Sequence, residues 1–198
     1  MIVSDLIHSF MENSGADCGA INNERALQLE LAYMFRSVGF SVNFEQQFKL
    51  PRHEKSTAKP KSRLDLLVSD GEKLTAIELK VPLNGQHPET LYSFCMDIEF
   101  IEAMLIHHQS KQGYCLMLTD DKVFWQDSGR GSDIHNRFRK KNGIVNGTIQ
   151  KPTKPWNTCV HLKGVYRPHK EWRQVTDRKL LNNAKYLLLP IPNSMRTP

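Results

Sequence analysis

Two carboxylates and one lysine occupy matching positions on two neighbouring predicted strands. Asp65 lies in the strand predicted over 63–68, and Glu78 and Lys80 lie in the strand predicted over 74–81. Because side chains alternate along a strand, these three polar groups point away from the apolar residues between them. The pattern therefore predicts one exposed patch that holds two carboxylates and an ammonium group.

The turn between the two strands decides how close the carboxylates come. A tight turn centred on Asp70-Gly71 would place Asp65 opposite Ala76, with Glu78 as its diagonal neighbour at about 7–8 Å. A looser turn would place Asp65 directly opposite Glu78 without changing faces. Either register leaves the two carboxylates within reach of one bridging ion.

Paired carboxylates beside a lysine are suited to phosphodiester hydrolysis. Carboxylate oxygens are ligands that a hard divalent cation such as Mg²⁺ takes from a protein. Such a cation near a phosphate lowers the pKa of bound water and neutralises developing charge. Lys80 would hold or orient the attacking water, or stabilise charge on the phosphate. The alternative interpretation is a half-exposed strand whose polar face reads Glu-x-Lys by chance.

The two strands also carry a resemblance. Residues 63–65 (Arg-Leu-Asp) and 77–80 (Ile-Glu-Leu-Lys) resemble the bipartite motif of the PD-(D/E)xK nuclease superfamily. That group includes many type II restriction endonucleases, archaeal-type Holliday-junction resolvases and repair nucleases. The resemblance covers about residues 20–120 and implies that Asp65 and Glu78 bind Mg²⁺, for which Mn²⁺ can substitute. It also implies that Lys80 is the catalytic lysine.

A further metal ligand is expected from the first helix of that core. The superfamily often adds a glutamate there, which makes Glu24 the candidate, although Gln28 could occupy that place instead. Acidic residues also favour the first helical turn through the helix dipole alone. The residue before Asp65 is Leu64 and not the proline of the motif, which many members also lack.

The order of predicted elements indicates an α/β fold. Apolar periodicity predicts helices over 22–37 and 90–109 and strands over 40–48, 63–68, 74–81, 114–119, 160–166 and 186–191. We expect a restriction-endonuclease-like core of helix, three-strand meander, helix and strand, with a basic carboxy-terminal extension. Residues 1–127 would form the nuclease core. Residues 128–198 would form the extension, packed on or completing the core in the same domain.

Charge is divided unevenly along the 198 residues. The net charge is +6, but residues 1–100 carry 10 Lys and Arg against 14 Asp and Glu, whereas residues 101–198 carry 17 against 7. The excess predicts a polyanion-binding surface, with a soluble basic tail as the alternative. Segments 51–62 and 128–147 are predicted as exposed loops. The candidate DNA-binding residues are Arg52, Lys55, Lys59, Lys61, Arg63, Arg130, Arg137, Arg139, Lys140 and Lys141.

These features predict a Mg²⁺-dependent endonuclease that hydrolyses double-stranded DNA in restriction or defence. Two cuts require two active sites, so a homodimer is expected. The alternatives are a structure-selective junction or repair nuclease and a non-catalytic DNA-binding protein with a nuclease fold. No GxxxxGK[ST] loop is present, so no nucleotide cofactor is expected. Scattered cysteines, a start without a basic region and the lack of a long apolar run predict a cytoplasmic protein without a membrane span.

Overall fold

The fold consists of four helices and eight strands within the residues that are described. The computed structural model describes residues 2–13, 21–51, 53–82, 85, 87–129, 131–155, 157–176 and 183–193. The helices are α1 (Val3–Asn13), α2 (Glu24–Ser37), α3 (His87–Ile106) and α4 (Asp133–Arg139). The strands are β1 (Ser41–Gln47), β2 (Arg63–Ser69), β3 (Leu74–Lys80), β4 (Gln112–Thr119), β5 (Val145–Gln150), β6 (Cys159–Tyr166), β7 (Trp172–Gln174) and β8 (Lys185–Ile191).

A six-stranded sheet forms the centre, in the order β1-β2-β3-β4-β8-β7. Strands β3 and β4 are parallel and are joined through α3, whereas the other neighbouring pairs are antiparallel. Strands β5 and β6 form a separate antiparallel ribbon. The prediction of a mixed α/β fold with a central sheet and covering helices is confirmed.

Apolar side chains cover both faces of the sheet. On one face, Ile77 and Leu79 of β3 pack with Leu31 and Phe35 of α2 and with residues of α1. On the other face, Ala76 packs with residues of α3, α4 and the β5–β6 ribbon. Strands β2 to β4 lie inside this sandwich, and their nearly continuous apolar sequences are typical of strands buried on both faces.

Helix α2 begins and ends at residues with a clear physical role. The Asn23 side chain accepts a hydrogen bond from the backbone amide of Ala26 at 2.8 Å, which caps the helix. Gly39 adopts a φ of 93°, a conformation that glycine accommodates without steric cost and that commonly follows a helix end. The helix predicted over 22–37 is therefore confirmed, and its start places Glu24 near the strands.

The prediction of a loop over 128–147 is wrong. Helix α4 and the start of β5 lie there, because Ile134 and Phe138 have apolar partners in the core, with the Phe138 ring 6.0 Å from the ring of Phe94. Helix α1 was also not predicted from the sequence. No helix among the described residues combines the length and the apolar character that a membrane crossing requires.

Candidate active site

Asp65 and Glu78 come together across the β2–β3 pair. Leu66 pairs with Ile77, so the ladder brings Asp65 level with Glu78. This is the looser of the two expected registers, and the tight two-residue turn is wrong. The connection is longer because Asp70 Oδ1 accepts hydrogen bonds from the backbone amides of Glu72 and Lys73, at 3.1 and 2.8 Å.

The Asp65 side chain is held by the backbone of the next strand. Its Oδ2 accepts a hydrogen bond from the Leu79 amide at 2.7 Å, and its backbone carbonyl accepts one from Gln28 Nε2 at 2.8 Å. Gln28, which was an alternative to Glu24 as the helix residue of the site, therefore positions the Asp65 backbone. It also donates to Glu45 at 3.2 Å.

The prediction of an exposed patch is wrong. Asp65 retains 8% of its accessible surface, Glu78 retains 1% and Asp97 retains 2%. Helix α3 covers this face of the sheet and brings Asp97 over the carboxylates. Asp97 therefore does not lie on a solvated face of the helix.

Two lysines and three carboxylates form a chain of alternating charge. Lys61 Nζ donates to Glu78 Oε2 and, at 2.7 Å, to Asp97 Oδ1. Lys80 Nζ lies 3.2 Å from Asp97 Oδ2 and 3.7 Å from Glu24 Oε2. Asp97 thus links the two ammonium groups, and the expected neighbours Glu24, Glu78 and Lys80 belong to one network.

Burial and crowding shift the titration of this network. Burial raises the pKa of the Glu78 carboxyl, and the neighbouring Asp97 carboxylate reinforces that shift. Burial also raises the pKa of Glu24. Burial alone would lower the pKa of Lys80, but Asp97 and Glu24 outweigh it and the net shift is upward. The pKa of Lys61 is raised in the same way, by Asp97 and Glu78 against burial.

The donor chemistry fits a hard divalent cation. Glu78 Oε1 is buried and has no hydrogen-bond partner among the described residues. The carboxylates of Glu24, Asp65, Glu78 and Asp97 outnumber the two ammonium groups by two, so the ionised network has the charge that one divalent cation would balance. In the arrangement seen, however, no three acidic, histidine or cysteine side chains of the described residues are grouped so that they could hold a metal ion. Lys61 lies between two of the carboxylates instead.

A polar cavity gives access to this network. Its volume is about 320 Å³, which is large enough for a phosphate group with waters, and it opens between the start of α2 and the edge of the sheet. The lining residues are Glu24, Arg25, Gln28, Glu45, Lys61, Arg63 and Asp65. A ligand in the cavity would meet Glu24, Asp65 and Lys61 directly.

The residues expected to bind DNA fall into separate groups. Arg137 donates to Asp133 Oδ2 at 2.7 Å, and Arg139 is buried. Lys61 is bonded within the carboxylate network, as described above. Arg52 and Arg130 lie outside the described residues. The side chains exposed to solvent are Lys55, Lys59, Arg63, Lys140 and Lys141.

The segment 51–62 is more firmly held than an exposed loop would be. Ser56 and Ala58 are buried, and the amides of Thr57 and Ala58 donate to the Cys159 carbonyl at 2.9 and 3.0 Å. These bonds attach the segment to the start of β6. The prediction of an exposed loop is therefore wrong for Ser56 and Ala58.

Two residues of the site, Asp97 and Lys61, were not assigned to it from the sequence. Asp97 lies three residues after Phe94 and four before Ile101, so a carboxylate stands within the apolar stripe of α3. Lys61 is four residues before Asp65, which gives it the same side-chain parity if the strand is extended backwards. Both signals are visible in the sequence once the strand and helix are assigned.

No family model matches the chain, and comparison with curated proteins and with solved structures also finds no match.

Proposed function

We propose that the protein is a Mg²⁺-dependent endodeoxyribonuclease with a restriction-endonuclease-like core. The observation that carries the proposal is the level placement of Asp65 and Glu78 on paired strands, with Lys80 two residues further along β3. The order α2-β1-β2-β3-α3-β4 supports it, because it matches the expected helix, meander, helix and strand. Glu24 adds a carboxylate from the start of α2, 3.7 Å from Lys80.

Asp65 and Glu78 would hold the divalent cation, with Glu24 as a further candidate ligand. A bound cation would lower the pKa of a water molecule bound to it and would neutralise negative charge on the phosphate. The protein's part is to fix the carboxylates: Leu79 orients Asp65 through its amide, and α3 excludes bulk water from Glu78. Fixed oxygen donors need little rearrangement when the reaction occurs.

Lys80 would act as a charged donor and not as a base. Its pKa is raised by Asp97 and Glu24, so the ammonium form prevails at neutral pH. An ammonium group can orient an attacking water through that water's lone pair, or stabilise negative charge on a phosphate oxygen. Asp97 holds Lys80 for this role at 3.2 Å.

Among nucleases, a restriction or defence enzyme that acts on double-stranded DNA as a homodimer is the proposed type. A single site of this kind cuts one strand, so a double-strand break calls for two copies. The exposed lysines at the end of α4 add positive charge for the DNA backbone.

The test is cleavage of supercoiled plasmid with Mg²⁺, with Mn²⁺ and with EDTA. We expect cleavage with either metal and none with EDTA. Asp65→Asn, Glu78→Gln and Lys80→Met should each lower the rate by at least about 100-fold. Glu72→Gln, an exposed substitution in the β2–β3 connection, is the matched control. Wild-type rates in the Asp65 and Lys80 variants would refute the assignment, and cleavage confined to four-way junctions would indicate a junction nuclease.

One observation favours a second candidate, a non-catalytic DNA-binding protein. Lys61 already bonds both Glu78 and Asp97, so each of these carboxylates has a cationic partner without a metal. Under this alternative the protein binds duplex DNA equally well with Mg²⁺ and with EDTA, and it leaves plasmid intact with every metal. Gel-shift and cleavage measurements on one preparation separate the two candidates.

A further inference from the structure

Lys61 occupies a place where a cation is needed. Its ammonium group bonds Glu78 Oε2 and Asp97 Oδ1, and these two carboxylate side chains are 0% and 3% exposed. Buried carboxylates are strongly unfavourable without a compensating charge. Lys61 supplies that charge in the protein as it stands, while Glu78 is also one of the two proposed metal ligands.

A divalent cation at Glu78 Oε1, the oxygen without a hydrogen-bond partner, would stand close to the Lys61 ammonium at Oε2 of the same carboxylate. Like charges at such a separation in a buried site repel strongly. A compact ammonium on a flexible four-carbon stem is the more easily moved of the two. This repulsion would favour movement of Lys61 away from Glu78 when a metal binds there.

The surroundings of Lys61 provide a place for it to go. The side chain is 23% exposed and lines the same cavity as Glu24 and Asp65. Its backbone lies between two anchors, the Ser56–Ala58 attachment to β6 and the start of β2 at Arg63. The ammonium can thus turn toward the cavity without any change in the sheet, and a phosphate oxygen there would be its new partner.

We propose that Lys61 is a positioning residue that couples metal binding to nucleic-acid binding. It holds Glu78 and Asp97 in the metal-free protein, leaves Glu78 when a divalent cation binds, and then contacts a backbone phosphate of the nucleic acid in the cavity. The inference rests on the proposed function, since it assumes that Asp65 and Glu78 bind the metal. Coupling of this kind is reciprocal, so nucleic acid strengthens metal binding by the same factor that metal strengthens nucleic-acid binding.

The first experiment measures Mn²⁺ binding to the full chain without nucleic acid, by the paramagnetic resonance signal of free Mn²⁺. Lys61→Gln removes the competing charge, so we expect it to bind Mn²⁺ about tenfold more tightly than the wild type. Lys73→Gln makes the same charge change at an exposed lysine of the β2–β3 connection and should stay within about twofold of the wild type. Asp65→Asn identifies the site and should lose the binding.

The outcomes separate the inference from the proposed function. If wild-type binding depends on Asp65 but Lys61→Gln binds no more tightly, the inference is overturned and the metal site stands. If no variant shows Mn²⁺ binding that depends on Asp65, the metal site fails and the inference fails with it. Tighter binding in Lys61→Gln alone supports the inference.

A second measurement uses the wild type alone, so it tests the inference even if the Lys61→Gln protein fails to fold. Amine-reactive labelling of the wild type, read by mass spectrometry, compares Lys61 with the exposed Lys73 in the same chain. We expect the ratio of Lys61 to Lys73 labelling to rise when Mn²⁺ is added. With Ca²⁺ in place of Mn²⁺, we expect the ratio to be lower with a duplex oligonucleotide than without it. A ratio that does not rise with Mn²⁺ would overturn the displacement.

Discussion

At the residue scale, Asp97 connects the two lysines of the candidate site. It is the common partner of Lys61, at 2.7 Å, and of Lys80, at 3.2 Å, and it is almost fully buried. A carboxylate in this position fixes both ammonium groups against the sheet. Asp97 resembles the residues that hydrogen-bond to metal ligands in other proteins and so orient the side chains that contact the metal.

If the protein has the proposed nuclease activity, Asp97→Asn should therefore reduce DNA cleavage without unfolding the protein. The amide keeps the shape of the side chain but loses the charge that holds Lys80, so we expect cleavage to fall about 10- to 100-fold. Glu89→Gln, near the start of the same helix, is the matched control. Initial rates on plasmid at saturating Mg²⁺ measure the effect, and a wild-type rate in Asp97→Asn would contradict it.

His135 is a second buried polar residue, on α4. Burial, the Arg139 guanidinium and His87 lower the pKa of its imidazole to about 4, so the ring is neutral in the folded protein at neutral pH. In the unfolded chain a histidine titrates near its ordinary value of about 6.5. Between these two values the unfolded state binds a proton that the folded state does not.

The free energy of unfolding should consequently fall as the pH falls from about 6.5 to about 4. The contribution of His135 is complete above pH 6.5 and is lost progressively across this window. His135→Asn should lack this part of the pH dependence, even if its stability is lower at neutral pH. Urea unfolding of both proteins at pH 7.5, 5.5 and 4.5 measures the difference, and identical pH profiles would refute the assignment.

At the scale of elements, α3 is the connection between the site and the rest of the molecule. It carries Asp97 over the carboxylates and Glu102 toward the β5–β6 ribbon. Glu102 accepts hydrogen bonds from the amides of Lys163 and Gly164, at 2.9 and 2.8 Å, and from the Tyr166 hydroxyl at 2.7 Å. Glu102 is therefore a link between the helix and the ribbon.

Glu102→Ala should destabilise the protein by about 3 kcal/mol, because it leaves two amides and one hydroxyl without their acceptor. Glu102→Gln keeps one acceptor oxygen, so an intermediate loss is expected. Glu72→Ala, exposed in the β2–β3 connection, should change the free energy of unfolding by less than about 0.5 kcal/mol. Denaturant unfolding at pH 7 gives all three values, and a Glu102→Ala protein as stable as the control would show that the ribbon is held in another way.

At the scale of the whole molecule, the basic surface differs from the one expected. Arg137 donates to Asp133 within α4, and Arg139 is buried. The exposed cations nearby are Lys141, Arg167 and Lys170. Helix α4 contacts the short 3₁₀ turn Pro168–Lys170, so Lys141, which follows α4, lies near Arg167 and Lys170. Burial and the positive charges of these three residues lower the pKa of His169 beside them. Convergent cations of this kind suit a phosphate backbone.

Replacement of Lys141, Arg167 and Lys170 by Gln should weaken duplex binding and make it less sensitive to salt. Each lost phosphate contact lowers the slope of log affinity against log salt by about 1. The control carries the same change in net charge at three other exposed lysines, Lys73, Lys111 and Lys122. Fluorescence anisotropy in EDTA at several salt concentrations measures both slopes, and equal slopes in the two triple variants would refute the surface.

Much of the fold and part of the site were predictable from the sequence. Local periodicity was sufficient for α2 and for strands β2 and β3, because caps, glycines and alternating apolar residues are local signals. The same alternation predicted that Asp65, Glu78 and Lys80 share a neighbourhood. Alternation could not decide between the two registers of the β2–β3 pair. The length of the connection depends on the Asp70 side chain, which accepts a hydrogen bond from the Lys73 amide, and not on the Asp-Gly pair alone.

Tertiary structure alone decided the environment of those residues. Burial of Glu78 follows from the packing of α3 on the sheet, and the pairing of Lys61 with Glu78 and Asp97 joins residues 17 and 36 positions apart. A sequence records which groups can ionise. Only the folded chain determines which of them lose water and which charge then stands beside them, and these two quantities control both the pKa values and the affinity for a cation.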